Sequence, residues 1–453
     1  MTYNQLSIAL LFLAVLIFLI EFNKIKKFNF VMILVSLYFL TELLMSNNIW
    51  HLNFLSNDFW RNVIMLLVLI SFIGVLNMIK DHRFEIIALN IMVFTGSIMI
   101  ILCDHLIIIY LGLELQTFSL FILISKNKIS IKGSEAGLKY FILGALSSGL
   151  FLLGTSFIFT TGLSLNLKDI YINGGFEINS IKIAIILICL SLFFKLAIFP
   201  LHFWIPDIYE GSSWEVITLL STLPKISVLS IILQILGYSN LFILCALASI
   251  IVGTIGALNQ TKLKRLLAYS GISHMGFIML GFGILSNQGY EASFVYLFIY
   301  VITMIGLFLL VKFTFFTKNY YLIELGGQNI SNKVIAFSWG VFFLSIAGIP
   351  PLSGFISKWL ILTVVMDYQY IISALIGITF SAIAAGYYLR VLKITYFQKS
   401  ASYLNWEYIM KPKDNIITFK EYLIGFSIYI SLFLIIHPSS IFTSFYLGFN
   451  YFF

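Results

Sequence analysis

Apolar residues in this chain form long runs that short polar segments separate. A window of about 19 residues, the length that crosses a bilayer, finds about fourteen such runs. Their approximate extents are 4–22, 30–47, 60–79, 85–103, 105–125, 134–162, 180–205, 213–237, 240–258, 263–285, 289–316, 333–366, 370–397 and 418–448. Almost no loop separates the fourth run from the fifth, which meet at Asp104 and His105. The pattern predicts an all-α polytopic membrane protein with about fourteen transmembrane helices.

Basic residues cluster in the loops that follow odd-numbered spans. They are Lys24, Lys26, Lys27, Lys80, Arg83, Lys126, Lys128, Lys132, Lys262, Lys264, Arg265, Lys318, Lys333, Lys399, Lys411, Lys413 and Lys420. By the positive-inside rule these loops face the matrix or cytoplasm, and both termini face the opposite side. The loop after the seventh span is an exception, because it carries Asp207 and Glu210 and no basic residue.

Composition supports the membrane assignment and excludes other classes. The chain is 60% hydrophobic and 10% charged, with a mean hydropathy of +1.01, more apolar surface than a soluble core can bury. The net charge of +8 follows from one basic membrane face, so nucleic-acid binding is not predicted. Lysine greatly outnumbers arginine, and Ile, Phe, Asn and Tyr are abundant, as AT-rich codons would produce. This bias indicates an organellar or AT-rich bacterial gene.

Prolines interrupt two of the predicted helices at corresponding places. Pro200 lies inside the seventh span, and Pro350 and Pro351 lie inside the twelfth. Proline removes a backbone donor and clashes with the preceding turn, so each helix should break there, although an ordinary kink is the alternative. The interruptions are five spans apart, so the units around them have opposite topology, as in inverted-repeat transporters. We therefore predict two inverted five-helix repeats, 85–237 and 238–397, with three helices in 1–84 before them and a loop and final helix in 398–453.

Ionisable residues lie inside apolar spans, where each costs roughly 2.5–3.5 kcal/mol on insertion scales. They are Glu114, Lys139, Lys195, Lys225 and Lys358. A Glu–Lys pair that forms and breaks can drive protonation and release of the lysine, because an opposite charge favours the charged form of both groups. The residues therefore predict a proton relay, with a static ion pair that fixes helix packing as the alternative.

Lys139 and two histidines are further candidates for the relay, and each has an alternative structural interpretation. Lys139 lies one turn into the sixth span and fits a relay or a snorkelling surface lysine equally. His202 and His274 could transfer protons, although buried histidines are commonly hydrogen-bonded packing residues. No nucleotide, flavin, haem or metal motif occurs, and the three cysteines have no paired spacing, so we predict no cofactor or metal bound by this chain.

Six segments carry a resemblance to a known family. They are 112–116 (GLELQ), 135–145 (EAGLKYFILGA), 194–211 (FKLAIFPLHFWIPDIYEG), 220–225 (LSTLPK), 266–276 (LLAYSGISHMG) and 348–358 (GIPPLSGFISK). Together they resemble subunit 2 of proton-pumping NADH:quinone oxidoreductase, whose bacterial counterpart is subunit N, an antiporter-like family. The similarity extends from about residue 85 to 397, and the flanking helices match mainly in hydrophobic pattern.

The resemblance implies a proton-translocating subunit in the membrane arm of respiratory complex I, in the mitochondrial inner membrane. The family's relay acid and lysines correspond to Glu114, Lys195, Lys225 and Lys358. A lysine at Lys358 favours subunit 2, since the sister subunit 4 usually has glutamate there. FMN, iron–sulfur clusters and ubiquinone are expected in other subunits. The expected partners are neighbouring antiporter-like and small membrane subunits and lipids such as cardiolipin.

One segment departs from the family pattern. Residues 211–214 read Gly-Ser-Ser-Trp where the family usually reads Gly-Ala-Pro, which leaves that loop's conformation undetermined.

Three other interpretations remain open. A subunit of a multi-subunit cation/proton antiporter would share the broken helices and buried lysines, although the 205–211 segment and Lys358 argue against it. A plastid counterpart of the complex differs only in location, and a purely structural scaffold would need no relay.

Overall fold

The computed structural model of the chain describes residues 59–79, 83–126, 130–167, 179–235, 239–314, 320–398 and 419–436, together with residues 438 and 445. The first two predicted spans, 4–22 and 30–47, lie outside the described residues. Within this part of the chain the secondary structure is helical, with two isolated β-bridges, His105–Asn166 and Lys262–Tyr321. The all-α prediction is confirmed.

The described residues form fifteen α-helices and one short 3-10 helix at Leu322–Leu325. The α-helices are α1 (Phe59–Met78), α2 (Phe84–Leu102), α3 (Leu106–Ile124), α4 (Ile131–Thr160), α5 (Asn179–Leu196), α6 (Trp204–Gly211), α7 (Trp214–Gln234), α8 (Ser239–Leu258), α9 (Leu263–Gly283), α10 (Asn287–Thr314), α11 (Gln328–Ser331), α12 (Lys333–Ala347), α13 (Ser353–Asp367), α14 (Ile371–Phe397) and α15 (Phe419–Phe433). Among these residues nine helices, α1–α4, α7–α10 and α14, are long and apolar enough to cross a membrane.

The predicted boundaries agree closely with most of the long helices. The short division between the fourth and fifth spans is real, since α2 ends at Leu102 and α3 begins at Leu106. His105 stabilises this division, because its Nδ1 accepts a hydrogen bond of 3.3 Å from the backbone N–H of Ile107. A side-chain acceptor at this position satisfies a donor that the first turn of a helix leaves without a partner.

Within the last predicted span, 418–448, the structure describes residues 419–436, 438 and 445. The helix α15 ends at Phe433, and the next three residues form a turn. The rest of this span lies outside the described residues. The short helices α6 and α11 were missed, because an apolar window of transmembrane length cannot detect them.

The chain divides into two compact units. Among the described residues, the first unit contains α1–α4, α5 up to residue 192, and residues 222–234 of α7. The second unit contains the end of α5, α6, residues 214–221 of α7, and α8–α15. The segment that follows Leu192 therefore belongs to the second unit, although its helix begins in the first.

Small residues allow close helix crossings within the first unit. A Cβ atom added to Gly96 of α2 would lie 2.9 Å from the carbonyl oxygen of Gly112 on α3. The same addition to Gly154 of α4 would lie 2.7 Å from Ile188 of α5. Glycine at such positions lets backbones approach closely, which supplies the van der Waals contacts that hold helices together in lipid.

Arg61 joins three helices at one end of the first unit. Its guanidinium donates to the Leu102 carbonyl at 2.8 Å and forms an ion pair with the Asp104 carboxylate. The Asp104 carbonyl in turn accepts a 2.9 Å hydrogen bond from the N–H of Leu167, beyond the end of α4. Because Arg61 is buried, its charge is matched by Asp104 and hydrogen bonds, as a buried ion requires.

In the second unit, α8 and α9 form a tightly packed antiparallel hairpin. A Cβ atom added to Gly253 of α8 would lie 2.6 Å from the backbone nitrogen of Ser273 on α9. In α9 and α10, 94% of the most apolar window is buried, against 33% in α14. Exposed apolar side chains on α14, such as Ile372 and Leu375, suit contact with lipid.

We expect Gly253→Ala to destabilise the protein by about 1–3 kcal/mol, because backbone must move to admit the methyl group. Gly149→Ala is the matched control, since Gly149 lies in α4 with nothing within 4 Å of an added Cβ and alanine favours helix. Thermal unfolding of the detergent-solubilised protein measures both. Equal midpoints for the two variants would contradict the close crossing at Gly253.

Candidate functional site

The first helix break lies between α5 and α6, at residues 197–203. Ala197 follows the end of α5 with φ +56°, in the left-handed region. Its N–H donates to the Phe194 carbonyl at 3.0 Å, and the Ile198 N–H donates to the Phe193 carbonyl at 3.0 Å. This pair of bonds is the Schellman motif that commonly ends helices. Pro200 then follows within the break.

The second break, at residues 348–352, ends α12 with the same motif. Gly348 has φ +79°, and its N–H donates to the Ser345 carbonyl at 3.0 Å. The Ile349 N–H donates to the Leu344 carbonyl at 3.2 Å. Counted from the left-handed residue, Pro351 occupies the position that Pro200 holds in the first break. The two interruptions are therefore alike in backbone hydrogen bonding as well as in sequence.

Lys358 lies buried on α13 and contacts the end of α12 across the second break. Its Nζ donates to the Ala347 carbonyl at 2.6 Å, a carbonyl in the last helical turn that has no partner further along the helix. The Nζ also lies 5.7 Å from the centroid of the Phe277 ring on α9. The ammonium group is thus held by a helix C-terminus and an aromatic face, both of which favour positive charge.

Lys195 and His202 lie on either side of the first break, in the second unit. Lys195 is half-buried in the last turn of α5, where a cation interacts favourably with the helix dipole. Its Nζ lies 6.0 Å from the centroid of the Phe194 ring. His202 is buried, and its ring centroid lies 4.2 Å from that of Phe203. These contacts agree with a packing role for His202.

His274 lies at the centre of a buried hydrogen-bonded chain that links three helices. Its Nδ1 is 2.7 Å from the hydroxyl of Tyr296 on α10, and its Nε2 is 3.2 Å from the hydroxyl of Tyr388 on α14. A neutral imidazole donates from one nitrogen and accepts at the other, so both contacts can be satisfied together. The rings of Tyr388 and Tyr387 also pack together, with their centroids 4.3 Å apart.

Sequence reasoning missed the partners of His274. The nearby hydroxyls of Ser270 and Ser273 on the same helix donate to backbone carbonyls one turn earlier. Tyr296 lies 22 residues further along the chain and Tyr388 lies 114 residues further, and no local spacing signals either of them. The ring of Tyr296 also stacks on Phe277, with centroids 6.2 Å apart. Because Phe277 contacts Lys358, the structure places His274 and Lys358 along the same side of α9.

Glu114 and Lys225 both belong to the first unit. Glu114 is half-buried on α3 and accepts a hydrogen bond of 3.3 Å from the Thr117 hydroxyl. Lys225 is fully buried on α7 and directly follows Pro224. The two helices are joined where Gln116 Nε2 donates to Ser227 Oγ at 3.2 Å, two residues beyond Glu114 and Lys225 respectively. Lys195 belongs to the other unit, so its pairing with Glu114 stays a prediction.

Lys139 has a surface environment in the structure. Its Nζ forms an ion pair of 2.6 Å with Glu135, one turn earlier on α4, and the two side chains are 38% and 56% exposed. Such exposed pairs stabilise a helix by only about 0.3–0.5 kcal/mol. The contact fits the surface alternative for Lys139 better than a position within the relay.

Basic residues form ion pairs with the acids of the loop after the seventh predicted span, the loop that departs from the positive-inside pattern. Lys262 Nζ lies 2.6 Å from Glu210, and the Arg265 guanidinium lies 3.3 Å from Glu210 and 3.6 Å from Asp207. Lys312 of α10 similarly pairs with Glu215 at 3.1 Å. The acids of the loop after the seventh predicted span are thus matched by cations at the same end of the second unit.

Lys264 defines the conformation of the loop that lacks the family's Ala-Pro. Its buried ammonium donates to the Ser212 carbonyl at the end of α6. It also lies 5.4 Å from the ring centroid of Trp214 and 4.9 Å from that of Tyr320. The cation therefore binds the carbonyl that ends α6 and two aromatic faces together, which fixes the turn into α7 without a proline.

Metal binding finds no support in the described residues, which contain no group of three or more His, Cys, Asp or Glu side chains able to hold an ion. Around His274 and Lys358 the structure brings together hydroxyls, an imidazole and an ammonium group. Such groups can donate, accept and pass protons.

Comparisons with known proteins place the site in a family context. The profile of the NADH:quinone oxidoreductase/Mrp antiporter transmembrane family matches residues 103–384. NADH-ubiquinone oxidoreductase chain 2 of Metridium senile is 40% identical over 359 residues, which cover 78% of this chain and 93% of that protein. NADH-quinone oxidoreductase subunit N of Pelagibacter ubique is 36% identical over 319 residues, covering 67% of each chain.

Solved structures agree with these sequence matches. A chain of respiratory complex I from Thermus thermophilus with bound aureothin has a TM-score of 0.83 and 25% identity, and the match covers 96% of this chain and 98% of that one. A chain of the Mrp complex from Dietzia has a TM-score of 0.80 at 17% identity, covering 98% of this chain and 92% of that one. The second likeness shows the fold alone.

Proposed function

The chain belongs to the NADH:quinone oxidoreductase/Mrp antiporter family, and we propose that it translocates protons as a membrane-arm subunit of respiratory complex I. The observation that carries this proposal is the burial of Lys225 and Lys358 inside apolar helices, within the segments that resemble subunit 2. Lysines in such positions are costly and are typical of proton pathways. The relatives named chain 2 and subunit N are oxidoreductase subunits, and the redox chemistry would reside in other subunits of the assembly.

The relay that we propose involves Glu114, Lys195, Lys225 and Lys358. Closing of the Glu114–Lys195 pair would favour protonated Lys195, because an opposite charge stabilises the ammonium. Opening of the pair would drive the proton toward Lys225 and then Lys358. The break at Pro350 and Pro351 would open the exit path, and quinone chemistry elsewhere in the complex would supply the energy.

The His274 chain is a candidate connection within the second unit. Tyr388 and Tyr296 contact the two ring nitrogens of His274, so one proton can arrive at one nitrogen while another leaves from the opposite one. His274 then remains neutral after transfer. This geometry favours the histidine as a conductor over the alternative of a packing residue, and it leaves His202 and Lys139 as weaker candidates.

Two inverted repeats, 85–237 and 238–397, form part of the proposal. The support is the pair of breaks that share a Schellman ending, a left-handed residue and a proline in the same register. Half-helix ends at matching places in two repeats are typical of transporters with a central binding site. The repeats would place Lys195 and Lys358 on opposite arms of their breaks, before the first and after the second.

Location and partners follow from the same family. We place the chain in the mitochondrial inner membrane, encoded by the organelle, on the strength of its AT-rich composition and its similarity to chain 2 proteins. Neighbouring antiporter-like and small membrane subunits would be its protein partners. The basic membrane face suits anionic lipids such as cardiolipin. A plastid or bacterial complex, or a cation/proton antiporter assembly, is the alternative that copurified subunits would reveal.

Removal of the Lys225 charge tests the relay. We expect Lys225→Met, which keeps approximate length, to slow NADH oxidation and proton pumping by about tenfold or more in the assembled complex. Lys333→Met is the control, because Lys333 is exposed at the start of α12. Glu114→Gln should also slow turnover, since Lys195 would lose its partner. Wild-type pumping by assembled Lys225→Met complex would remove Lys225 from the relay.

Tyr388→Phe tests the role of His274. The substitution keeps the ring and removes only the hydroxyl that contacts Nε2. We therefore expect pumping and NADH oxidation to slow together, roughly severalfold, because proton transfer through His274 loses one of its two hydroxyl partners. Tyr396→Phe on the same helix is the control, because its hydroxyl donates to the Ala336 carbonyl instead. Equal rates for the two variants would assign His274 to packing.

Topology can be tested at the two ends of α9. We expect single cysteines at Gln260 and Lys333 to react with impermeant reagents from the matrix, and a cysteine at Gln288 to react from the intermembrane space, because basic loops face the matrix. Both termini would then face the intermembrane space. Labelling in sealed mitochondria and mitoplasts distinguishes the sides, and matrix labelling of Gln288→Cys would reverse the orientation.

A further inference from the structure

In each helix break, a side chain beyond the break donates to a carbonyl near the end of the preceding helix. In the first break, the indole Nε1 of Trp204 donates to the Phe194 carbonyl at 3.0 Å. In the second, Phe355 occupies the position of Trp204, counted from the left-handed residue, and its ring has no donor. Lys358 donates to the Ala347 carbonyl there instead. The first break is thus bridged by a neutral donor and the second by an ionisable one, which binds a carbonyl nearer to the left-handed residue.

Gly348 makes room for this contact. A Cβ atom added to Gly348 would lie 2.7 Å from Cδ of Lys358 and 3.2 Å from both its Cε and its Nζ. The backbone alone does not demand glycine, because Ala197 holds the equivalent left-handed conformation in the first break. The contact with Lys358, rather than the turn, therefore requires glycine at position 348.

We propose that Gly348 is a positioning residue for Lys358, which holds the ammonium against the C-terminal carbonyl of α12 between proton transfers. The helix end supplies the negative end of a dipole, and the Phe277 ring covers the ammonium from α9. The countercharge of Lys358 in this position is a helix terminus, so no carboxylate has to be displaced before the lysine can pass its proton on. The inference rests on the proposed role of Lys358 in proton transfer.

The test is Gly348→Ala in the assembled complex. The added methyl group displaces the lysine from Ala347 without changing any charge, so NADH oxidation and coupled pumping should slow together by about tenfold or more, the scale of one lost charge-assisted hydrogen bond. Gly162→Ala is the matched control. Gly162 has φ +77° and nothing within 4 Å of an added Cβ, so it has the same backbone strain without the crowding and should change the rate by less than about twofold.

The double variant Gly348→Ala with Lys358→Met separates a specific contact from general damage. If Gly348 acts through Lys358, the double variant is no slower than Lys358→Met alone, since coupled residues give non-additive effects. If Gly348→Ala does not assemble, the shorter and uncharged methionine should restore assembly, and failure of the double variant to assemble would overturn the inference.

The remaining outcomes distinguish this inference from the proposed function. Slow turnover in Lys358→Met combined with equal rates for Gly348→Ala and Gly162→Ala would overturn the positioning role and leave Lys358 in the relay. Wild-type pumping in Lys358→Met would remove Lys358 from the relay, and the inference would fall with it.

Discussion

The fold depends on satisfying backbone carbonyls where helices break inside an apolar environment. Within lipid each unsatisfied polar group costs several kcal/mol, so irregular backbone survives only where protein groups supply the missing partners. Both breaks meet this constraint first with the Schellman bonds that close the helix ends. Side chains on the far side of each break add further hydrogen bonds, from Trp204 to the Phe194 carbonyl in one case and from Lys358 to the Ala347 carbonyl in the other. A candidate relay lysine is thereby part of the architecture of its own helix break.

This coupling explains how an ammonium can remain buried without a carboxylate beside it among the described contacts. The energetic penalty of burial is offset by a hydrogen bond to a carbonyl, the dipole of α12 and the face of Phe277. The partners of Lys358 carry no formal charge, so the lysine can lose its proton without leaving an uncompensated negative ion behind. A group with this property suits a relay, in which each site must alternate between its charged and neutral forms.

Hydropathy and motif spacing predicted much of the fold, because bilayer thickness sets helix length and proline sets the breaks. The boundaries of α2 and α3 and the positions of both interruptions could be predicted from local signals alone. The end of α15 at Phe433 and the turn after it, inside an unbroken apolar run, were not predicted. The partners of His274 could not be predicted either, because Tyr296 and Tyr388 reach it from two other helices and a single sequence records no tertiary pairing. Lys139 shows another limit of sequence-based prediction. Its position in an apolar span is compatible with burial, and only the structure shows that it pairs with Glu135 at the surface.

The loop after α6 shows how a departure from the family pattern can be compensated within one chain. A proline would restrict the backbone directly at this turn, and the present sequence has serine instead. Lys264 supplies a different restraint, because it binds the Ser212 carbonyl and lies between Trp214 and Tyr320. The neighbouring ion pairs from Lys262 and Arg265 to Glu210 restrain α6 itself. Since α6 is the far half of the first broken helix, these contacts hold one arm of the break to the start of α9. The same α9 carries His274 and Phe277. These contacts therefore fix α6, one arm of the break, to the helix that lines the candidate proton path. Glu210, the acid in these ion pairs, belongs to the loop that departs from the positive-inside pattern.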